Sequence, residues 1–257
     1  MNIIALTAKA MYPNFPELII RETTLLDKFN FKFGYRYIYK AFYTKSDKII
    51  LQSADMRNSF ESVIGSKGNI QVISNPVKQN RLVPLPSDSN MVKAIMIGSL
   101  TAQKGYLELL SFLKTVNFEK PFIIDIYGSG PLKEAVENQI NAINGNNLIV
   151  SLKGVDSNIH TRLKDYHFLL HWANYEGFSN VVVEAISSGL PVLIRDCKGG
   201  VNEQILQGRN GFVINDTNEL KNMIERVLKL RSKSQVLPHR FLTIKEYLSK
   251  AYNIYIS

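Results

Sequence analysis

Two glutamates flank a glycine turn and an apolar run in the segment NYEGFSNVVVEA, residues 174–185. Glu176 directly precedes Gly177, and Glu184 follows eight positions after Glu176. Carboxylates repel phosphate but accept hydrogen bonds from hydroxyl groups, such as those of a sugar. Glycine lets the backbone come close to a ligand, because it has no side chain. These residue types therefore suggest a site for a polyhydroxylated ligand, although they also fit a capped surface helix whose charges face water.

The residues after the glycine turn predict the start of a helix. Ser179 or Asn180 can cap this helix, and Gly189 with Pro191 ends it. Asn180 and Glu184 are four positions apart, so they share one helical face. Free N–H groups and the dipole at a helix N-terminus favour an anion such as a diphosphate. The segment therefore combines acceptors for hydroxyl groups with a place for an anion.

A lysine opens a second candidate helix. The segment IGSLTAQKGYLELL (97–110) has the pattern of a strand, a loop and a helix, with Gly98 at the strand end and Lys104 and Gly105 at the helix start. A lysine at this place can neutralise a leaving phosphate. The spacing from Gly98 to Lys104 does not fit a P-loop. A solvated lysine at a helix start is the alternative that the sequence leaves open.

Two more glycine turns follow along the chain. YGSGPL (127–132) contains Gly128 and Gly130 but lacks the third glycine of a dinucleotide-binding turn, so it is a weak signal alone. DCKGGVNEQI (196–205) has a glycine pair, which gives backbone access to a ligand, and Glu203 on the next helix.

Short apolar runs rich in β-branched residues predict a parallel sheet in the second part of the chain. They are VKAIMIG (92–98), PFIIDIYG (121–128), NLIVSLKG (147–154), YHFLLHW (166–172), LPVLIRD (190–196) and GFVIND (211–216). Amphipathic helices such as GYLELLSFLK (105–114) lie between these runs. Such alternation implies a sheet covered on both faces, whose ligands bind outside the carboxyl ends of its strands. We therefore assign residues 86–238 to one complete Rossmann-like domain.

The first part of the chain, residues 1–85, predicts about half of a second Rossmann-like domain. Its strands are PELIIRE (16–22), SDKIILQS (46–53) and GNIQVISNP (68–76). The proline-containing polar stretch NPVKQNRLVPLPSDSN (75–90) is the predicted linker.

The composition is that of a soluble globular protein. The 257 residues are 45% hydrophobic, and their formal charge of +9 favours nucleotide phosphates, nucleic acid or an anionic membrane surface as partners. Cys197 is the only cysteine, so no intrachain disulfide can form and a reducing compartment is expected. No apolar run approaches the roughly 20 residues of a spanning helix, and the first residues lack the layout of a signal peptide. We expect a cytoplasmic protein.

The segment DKFNFKFGYRYIYKAFYTK (27–45) predicts a basic and aromatic helix. Its basic residues recur every four positions, close to one helical face, and are Lys28, Lys32, Arg36 and Lys40. A basic stripe among aromatic residues suits a helix that lies on an anionic bilayer. A helix packed on the core with a solvated basic edge is the simpler interpretation, and the sequence leaves both open. Nucleic acid is not expected as a partner, because no nucleic-acid-binding module is visible.

Taken together, these segments resemble the C-terminal, donor-binding half of the retaining GT-B glycosyltransferases of the group 1 family (family 4). The matching segments, in the family's order and spacing, are GSLTAQKG, YGSGPLKEAV, YEGFSNVVVEAISSGLPV, DCKGGVNEQI and GRNGFVI. The resemblance covers about residues 68–225, with a weaker match upstream. It implies an α/β, GT-B-like fold and transfer of a sugar from a UDP- or GDP-linked donor to an acceptor hydroxyl, with retention at the anomeric carbon.

The resemblance also implies roles for the site residues. Glu176 and Lys104 would be catalytic: the glutamate contacts hydroxyls of the transferred sugar, and the lysine stabilises the departing diphosphate. Glu184 would hold the ribose hydroxyls, and the base would stack near Gly154. The donor-binding residues are thus Gly98, Ser99, Lys104, Gly154, Glu176, Gly177, Phe178, Ser179, Asn180 and Glu184. No metal or other cofactor is expected, because Lys104 and the helix end would supply the charge that a cation gives elsewhere.

The chain departs from the family pattern in two ways. Ser99 stands where the family usually has an arginine, which removes one cation from the diphosphate site. The N-terminal domain is also about half as long as expected, so we interpret it as truncated, without the family's opening glycine-rich loop and acceptor-side histidine. We interpret the four histidines as structural or surface residues: His160, His167, His171 and His239. Residues 239–257 resemble the helix that crosses back to the N-terminal domain, which suggests that the C-terminus is complete.

These observations support two functional hypotheses. The first is a retaining glycosyltransferase of bacterial surface polysaccharide, lipopolysaccharide or glycolipid synthesis, docked on the cytoplasmic face of the inner membrane near a lipid-linked or saccharide acceptor. The second is a non-catalytic nucleotide-sugar-binding module, or donor-binding subunit, that needs a separate N-terminal-half chain for the acceptor. A remnant fold without a ligand is disfavoured because Glu176, Glu184 and Lys104 are intact.

Overall fold

Two parallel β-sheets, one of three strands and one of six, organise the described part of the chain in the computed structural model. The structure describes residues 2–12, 14–28, 34–66, 69–77, 90–143, 145, 147–232 and 246–250. Each strand is short, and the central strands of the larger sheet, such as β7 and β8, are almost wholly buried, as their continuous apolar runs require.

The smaller sheet has the order β1-β2-β3 and lies in the first part of the chain. Its elements are α1 (Asn2–Met11), β1 (Ile19–Arg21), α2 (Tyr35–Tyr43), β2 (Lys48–Leu51), α3 (Ala54–Ile64) and β3 (Ile70–Val72). Leu6, Tyr43, Ile49 and Phe60 belong to one buried cluster, which joins the three helices to this sheet.

The larger sheet has the order β6-β5-β4-β7-β8-β9. Its strands are β4 (Val92–Ile97), β5 (Phe122–Tyr127), β6 (Leu148–Gly154), β7 (Phe168–His171), β8 (Val192–Arg195) and β9 (Gly211–Ile214). Its helices are α4 (Tyr106–Leu113), α5 (Lys133–Ile143), α6 (Ile159–Arg162), α7 (Asn180–Ser187) and α8 (Leu220–Ser232). All neighbouring strands are parallel, so every strand ends at the same edge.

The strand order of the larger sheet changes direction between β4 and β7. The chain proceeds from β4 outward to β5 and β6, and then returns to pair β7 with the other side of β4. In open parallel sheets the loops that leave such a switch point diverge to opposite faces and leave a crevice for a ligand. The loops after β4 and β7 contain Lys104 and Glu176, the two residues that were expected to be catalytic.

The nine strands coincide with the nine apolar runs of the sequence, and the expected α/β arrangement is confirmed. The amphipathic pattern of α4 is also confirmed, because Tyr106, Leu109, Leu110 and Leu113 are buried. Most of the predicted linker lies outside the described residues. Residues 246–250 are helical, and Tyr247 packs against Ile50 and Ile73 of the smaller unit.

The prediction of one continuous helix over residues 27–45 is wrong. Helix α2 begins at Tyr35, after Gly34 with a left-handed φ of 86°, a conformation that a right-handed helix does not contain. Lys28 instead ends a separate 3-10 turn, Leu26–Lys28. The four basic residues therefore do not share one helical face: Arg36 and Lys40 lie on α2, and Lys32 lies outside the described residues.

Candidate active site at the junction of the two sheets

A cavity of about 220 Å³ lies where the carboxyl edges of the two sheets face each other. The larger unit lines it with Gln103, Tyr175, Glu176 and Gly177. The smaller unit lines it with the loop that follows β1 and with the next 3-10 turn: Thr23, Thr24, Leu25 and Lys28. The site is therefore built from both units. Lys28, which was expected to face a membrane, lies beside Glu176 in this cavity.

Lys104 and Glu176 form an ion pair at the wall of the cavity, through Nζ and Oε2. Their side chains are only 18% and 12% exposed. An ion pair in such a partly dry environment is screened less by water than one at the surface, so each partner strongly orients the other. The structure thus brings together the two residues that the sequence suggested as catalytic, from loops on different strands.

Hydrogen bonds between the two loops hold this pair in place. The side chain of Gln103 donates to the Tyr175 carbonyl at 3.0 Å, and the Asn174 N–H donates to the Gln103 carbonyl at 2.8 Å. Arg195, at the end of β8, donates to Asn174 Oδ1 at 2.8 Å and to Glu108 Oε2 at 2.7 Å. The residues on either side of Lys104 and Glu176 are therefore fixed to each other.

The glycine pair that follows β8 packs against the Glu176 loop. Gly199 has a φ of 114°, and a Cβ there would overlap the Glu176 carbonyl oxygen. A Cβ at Gly200 would overlap the side chain of Ser53. The Gly200 N–H donates to the Gly177 carbonyl at 2.9 Å. These glycines were expected to give a ligand access to the backbone. In the structure they instead allow close contact between loops of the two units.

Gly177 also lies where the two units pack closely. A Cβ at this position would lie 3.0 Å from the sulfur of Met56 and 3.3 Å from the Thr23 carbonyl oxygen, both in the smaller unit. Glycine here therefore keeps the site narrow at the junction of the two units.

Helix α7 starts behind Glu176, as the sequence predicted. Ser179 occupies the N-cap position, but its side chain makes no capping hydrogen bond. Asn180, the first helical residue, accepts a hydrogen bond of 2.7 Å at Oδ1 from the side chain of Asn75 in the smaller unit. Since the side chain of Ser179 does not cap this end, the helix dipole and backbone donors can act on an anion. Phe178, in the preceding turn, is half-buried.

Glu184 lies one turn further along α7 and is half-buried. Its Oε2 is 4.0 Å from Nδ1 of His160. Burial raises the pKa of this carboxyl, and the neighbouring His160 opposes the rise. A partly desolvated carboxylate with acceptor capacity to spare suits a ligand that brings hydroxyl donors.

The remaining expected donor-binding residues lie at the same edge of the sheet. Gly98 and Ser99 follow β4; Gly98 packs against Gly128, and Ser99 is exposed. Gly154 ends β6, and the next residue, Val155, exposes 74% of its surface. An exposed apolar side chain at this edge offers a surface on which a planar ring can stack.

Two residues of the site were missed by sequence reasoning. Glu22, buried at the end of β1, accepts hydrogen bonds from the backbone of Thr23 and Thr24, both at 2.9 Å, and from the Tyr43 hydroxyl. It thereby shapes the loop that lines the cavity. His171, the last residue of β7, is 4% exposed and its Nε2 is 3.7 Å from Glu176 Oε2. Only a burial pattern could have indicated either residue.

The other histidines have simpler places. His167 accepts a hydrogen bond of 3.0 Å at Nδ1 from the Lys93 backbone, so its structural interpretation is confirmed. His239 lies outside the described residues.

A second, larger cavity of about 380 Å³ lies elsewhere, near the amino ends of β4 and β5. Val92, Phe122 and Ile224 form part of its apolar wall, with lysines and glutamates at its rim. Ligands of parallel sheets bind at the opposite, carboxyl edge. We therefore place the chemistry in the smaller cavity.

Neither a membrane-spanning helix nor a metal-binding cluster occurs in the described part of the chain. None of its helices combines the length and apolar character that crossing a bilayer requires. Likewise, no three His, Cys, Asp or Glu side chains among the described residues are grouped to hold a metal ion. Cys197 lies beside the site, but burial and then the charge of Glu176 raise the pKa of its thiol to about 12.

Comparisons with known proteins give a consistent result. The family described as "Glycosyl transferases group 1" matches residues 78–240. An uncharacterized glycosyltransferase of Methanocaldococcus jannaschii is 33% identical over 177 residues, which are 64% of this chain and 43% of that protein. The N-acetylgalactosamine-N,N'-diacetylbacillosaminyl-diphospho-undecaprenol 4-alpha-N-acetylgalactosaminyltransferase of Campylobacter jejuni is 23% identical over 239 residues, 87% of this chain and 64% of that protein.

A solved structure extends the comparison to the fold. HepE of Anabaena, in complex with UDP and glucose, superposes with a TM-score of 0.83 at 18% identity, covering 100% of this chain and 76% of that one. This likeness confirms the GT-B-like fold. The chain spans about half the length of the first curated relatives that it matches.

Proposed function

The chain belongs to the glycosyl transferases group 1 family, and from that premise we propose that it binds a nucleotide-diphosphate sugar and transfers the sugar to an acceptor hydroxyl with retention. The observation that carries this proposal is the Lys104–Glu176 ion pair, whose Glu176 lines a cavity at the carboxyl edges of both sheets. In the reaction the bond between the anomeric carbon and the phosphate oxygen breaks, and a bond to the acceptor oxygen forms. The acceptor proton leaves with the diphosphate.

Lys104 would stabilise the departing diphosphate. The bond that breaks leaves negative charge on a phosphate oxygen, and a fixed ammonium group in a partly dry site lowers the energy of that charge. The uncapped start of α7 would act on the same anion. Because these groups supply positive charge, we propose a metal-independent reaction without a cofactor.

Glu176 would hold hydroxyl groups of the transferred sugar in the cavity. A volume of about 220 Å³ is below the 300–1,000 Å³ of sites that enclose a whole drug-sized ligand, so it suits the sugar end of the donor. Glu184, on the next turn of α7, would hold the ribose hydroxyls. The base would stack near Gly154 and Val155. Uridine is the first base to test, because the HepE structure contains UDP.

The acceptor is proposed to be lipid-linked, on the cytoplasmic side of the membrane, in surface polysaccharide or glycolipid synthesis. The name of the Campylobacter jejuni relative describes a diphospho-undecaprenol acceptor. Helices α1 and α2 also expose a group of large apolar side chains next to Arg36 and Lys40, which suits contact with an anionic bilayer. These apolar residues are Ile4, Met11, Tyr35, Tyr37 and Ile38.

A donor-binding subunit without turnover of its own is the second candidate. It is favoured by one observation: within the described residues, the smaller sheet has three strands where the larger has six. A separate chain would then complete the acceptor side.

Three proteins test the proposal: the wild type, Glu176→Gln and Lys104→Met. We expect the wild type to bind UDP in calorimetry and to release UDP from a UDP-sugar when an acceptor is present. Glu176→Gln should bind UDP normally but lose about 100-fold or more in turnover, because its contacts act on the sugar. Lys104→Met should lose both UDP binding and turnover. Binding without turnover in the wild type would favour the second candidate, and no binding of any nucleotide diphosphate would refute both.

A further inference from the structure

The unexplained feature of the site is the imidazole of His171. It is 4% exposed, and its Nε2 has no hydrogen-bond partner within the described part of the chain. A buried nitrogen without a partner costs desolvation free energy, so it calls for an explanation in a folded protein. Its surroundings supply a candidate partner, because Nε2 lies 3.7 Å from Glu176 Oε2.

A purely structural role does not explain this geometry. His167, four residues earlier and directly before β7, is fixed by a hydrogen bond of 3.0 Å from the Lys93 backbone. His171 is aimed instead at a carboxylate that already has a partner, Lys104. The distance of 3.7 Å exceeds the roughly 2.7–3.2 Å of a hydrogen bond, so a shift of about 0.5–1 Å would complete one.

The imidazole is neutral at physiological pH. Burial, and secondly the positive charge of Lys104, lower its pKa to about 3. A neutral imidazole carries one N–H, and a neighbouring carboxylate favours the tautomer in which Nε2 bears it. His171 can therefore donate to Glu176 without adding a charge to the site.

The geometry points to His171 as a positioning residue that holds Glu176 whenever Lys104 is engaged with a diphosphate. This inference rests on the proposed function, in which Lys104 turns from Glu176 to the departing group. At that moment Glu176 loses the ammonium group that orients it. The imidazole of His171 would then shift so that its Nε2–H donates a hydrogen bond to Glu176 Oε2. This bond would keep the carboxylate directed at the sugar.

The exchange gives the carboxylate a donor from the protein in place of the ammonium group that has left. A charged acceptor in a partly dry site loses more free energy than a neutral one when its donor leaves. The Nε2–H of His171, close to Glu176, removes that penalty at the step in which the diphosphate departs. Because Nε2 is unpaired while Lys104 holds Glu176, the new hydrogen bond favours the state in which Lys104 has turned to the diphosphate.

Nitrogen and proton NMR of the imidazole tests this exchange without any turnover. In Lys104→Met, which lacks the competing ammonium, we expect the Nε2–H proton of His171 to shift downfield and to exchange more slowly with water than in the wild type. Saturation of the wild type with UDP should produce the same change. In the double variant Lys104→Met/Glu176→Gln, the downfield shift and the slowing of exchange should both be smaller than in Lys104→Met. An imidazole protonated only at Nδ1, or a Lys104→Met spectrum that matches the wild type, would refute the role.

Two substitutions of His171 give the kinetic test. His171→Gln keeps an N–H donor, whereas His171→Leu keeps only the apolar volume. We expect donor turnover in His171→Leu to fall about tenfold or more in kcat with little change in the KM for the donor, and His171→Gln to recover most of that loss. Equal losses in both variants, or none in His171→Leu, would contradict the inference. If the wild type fails to bind UDP, the proposed donor is wrong, and the Lys104→Met spectrum still decides the role of His171.

Discussion

Glu203 of the larger unit accepts a hydrogen bond of 2.8 Å from the backbone N–H of Asp55, in the first turn of α3 in the smaller unit. A second bond of 3.1 Å comes from the Ala54 N–H. A carboxylate with two backbone donors at a helix N-terminus is stabilised by the helix dipole as well as by the bonds. Asp55 in turn accepts a bond of 3.3 Å from the Gly199 N–H. The two units are therefore joined directly behind the candidate site.

Replacing Glu203 with glutamine should weaken this junction. The loss of a charged acceptor at the start of α3 should lower the free energy of unfolding by about 1–3 kcal/mol. Denaturant unfolding followed by circular dichroism gives the measurement. Glu219→Gln, an exposed glutamate in the same unit, is the matched control and should change stability little. Equal effects of the two variants would mean that the junction does not depend on the Glu203 carboxylate.

Replacing Glu184 with alanine should weaken UDP binding about tenfold or more, because two hydroxyl donors would lose a charged acceptor. Calorimetry measures the UDP affinity. Glu225→Ala, which changes an exposed glutamate on α8, is the control. The pKa of Glu184 is raised by burial, so its carboxylate becomes protonated earlier as the pH falls. UDP affinity should therefore decrease on mild acidification in the wild type and not in Glu184→Ala. Unchanged affinity in the variant would exclude the ribose role.

Replacing Gly199 with alanine should damage both stability and the site. Its φ of 114° strains any side chain, and the new Cβ would displace the carbonyl of Glu176. We expect a loss of about 2 kcal/mol or more in unfolding free energy, together with loss of turnover. Gly208→Ala is the matched control: its φ is 74°, but only Phe212 is near, at 3.9 Å. It should lose only about 1 kcal/mol and keep its activity.

Replacing His171 with leucine should make the protein less sensitive to acid. The pKa of His171 is about 3 in the folded protein, against a usual value of 6.5, because of burial and of Lys104. Between these two values the unfolded chain takes up a proton that the folded chain does not. Wild-type stability therefore falls as the pH decreases through this range. Thermal unfolding from pH 7 to pH 4 should show a smaller slope in His171→Leu, and an identical slope would mean that His171 is protonated in the folded protein.

Replacing Arg36 and Lys40 with glutamine should reduce binding to anionic vesicles. Each basic residue near such a surface contributes about 1 kcal/mol, so the double variant should bind at least about tenfold more weakly. Sedimentation with phosphatidylserine vesicles measures this, and Lys114→Gln/Lys120→Gln, two exposed lysines of the larger unit, is the control. Tyr37→Ser should also weaken binding, because that ring is 79% exposed. Undiminished binding of the double variant would exclude α2 as the contact.

Local pattern was sufficient for the elements that the chain builds from neighbouring residues. The nine strands are continuous apolar runs, and the α4 core face repeats with the helical period, so both could be predicted. Lys104 and Glu176 were predicted as site residues because each follows a strand, and strands of a parallel sheet end at one edge. The prediction of one basic helical face over residues 27–45 was wrong because Gly34, in a left-handed conformation, interrupts the helix that the four-residue spacing indicated.

Contacts between distant segments could not be predicted in this way. Glu203 and Asp55 are 148 positions apart, and nothing near either residue signals the other. The packing of Gly199 against Glu176, and the burial of His171 beneath it, depend on how loops of different strands meet. The sequence therefore indicated which residues could act on a donor, while the partners that orient them emerged only from the fold.

The pairing of Lys104 with Glu176 has a consequence for which molecules can bind at the site. A lone anion that draws the ammonium away makes no new contact with Glu176, whose carboxylate then depends on His171 alone. Inorganic phosphate, abundant in every cell, brings no apolar or hydroxyl-rich end to replace what Glu176 loses. A nucleotide sugar carries its anion and its hydroxyls on one skeleton. We therefore expect the Lys104–Glu176 ion pair to favour a nucleotide sugar over a common anion such as inorganic phosphate.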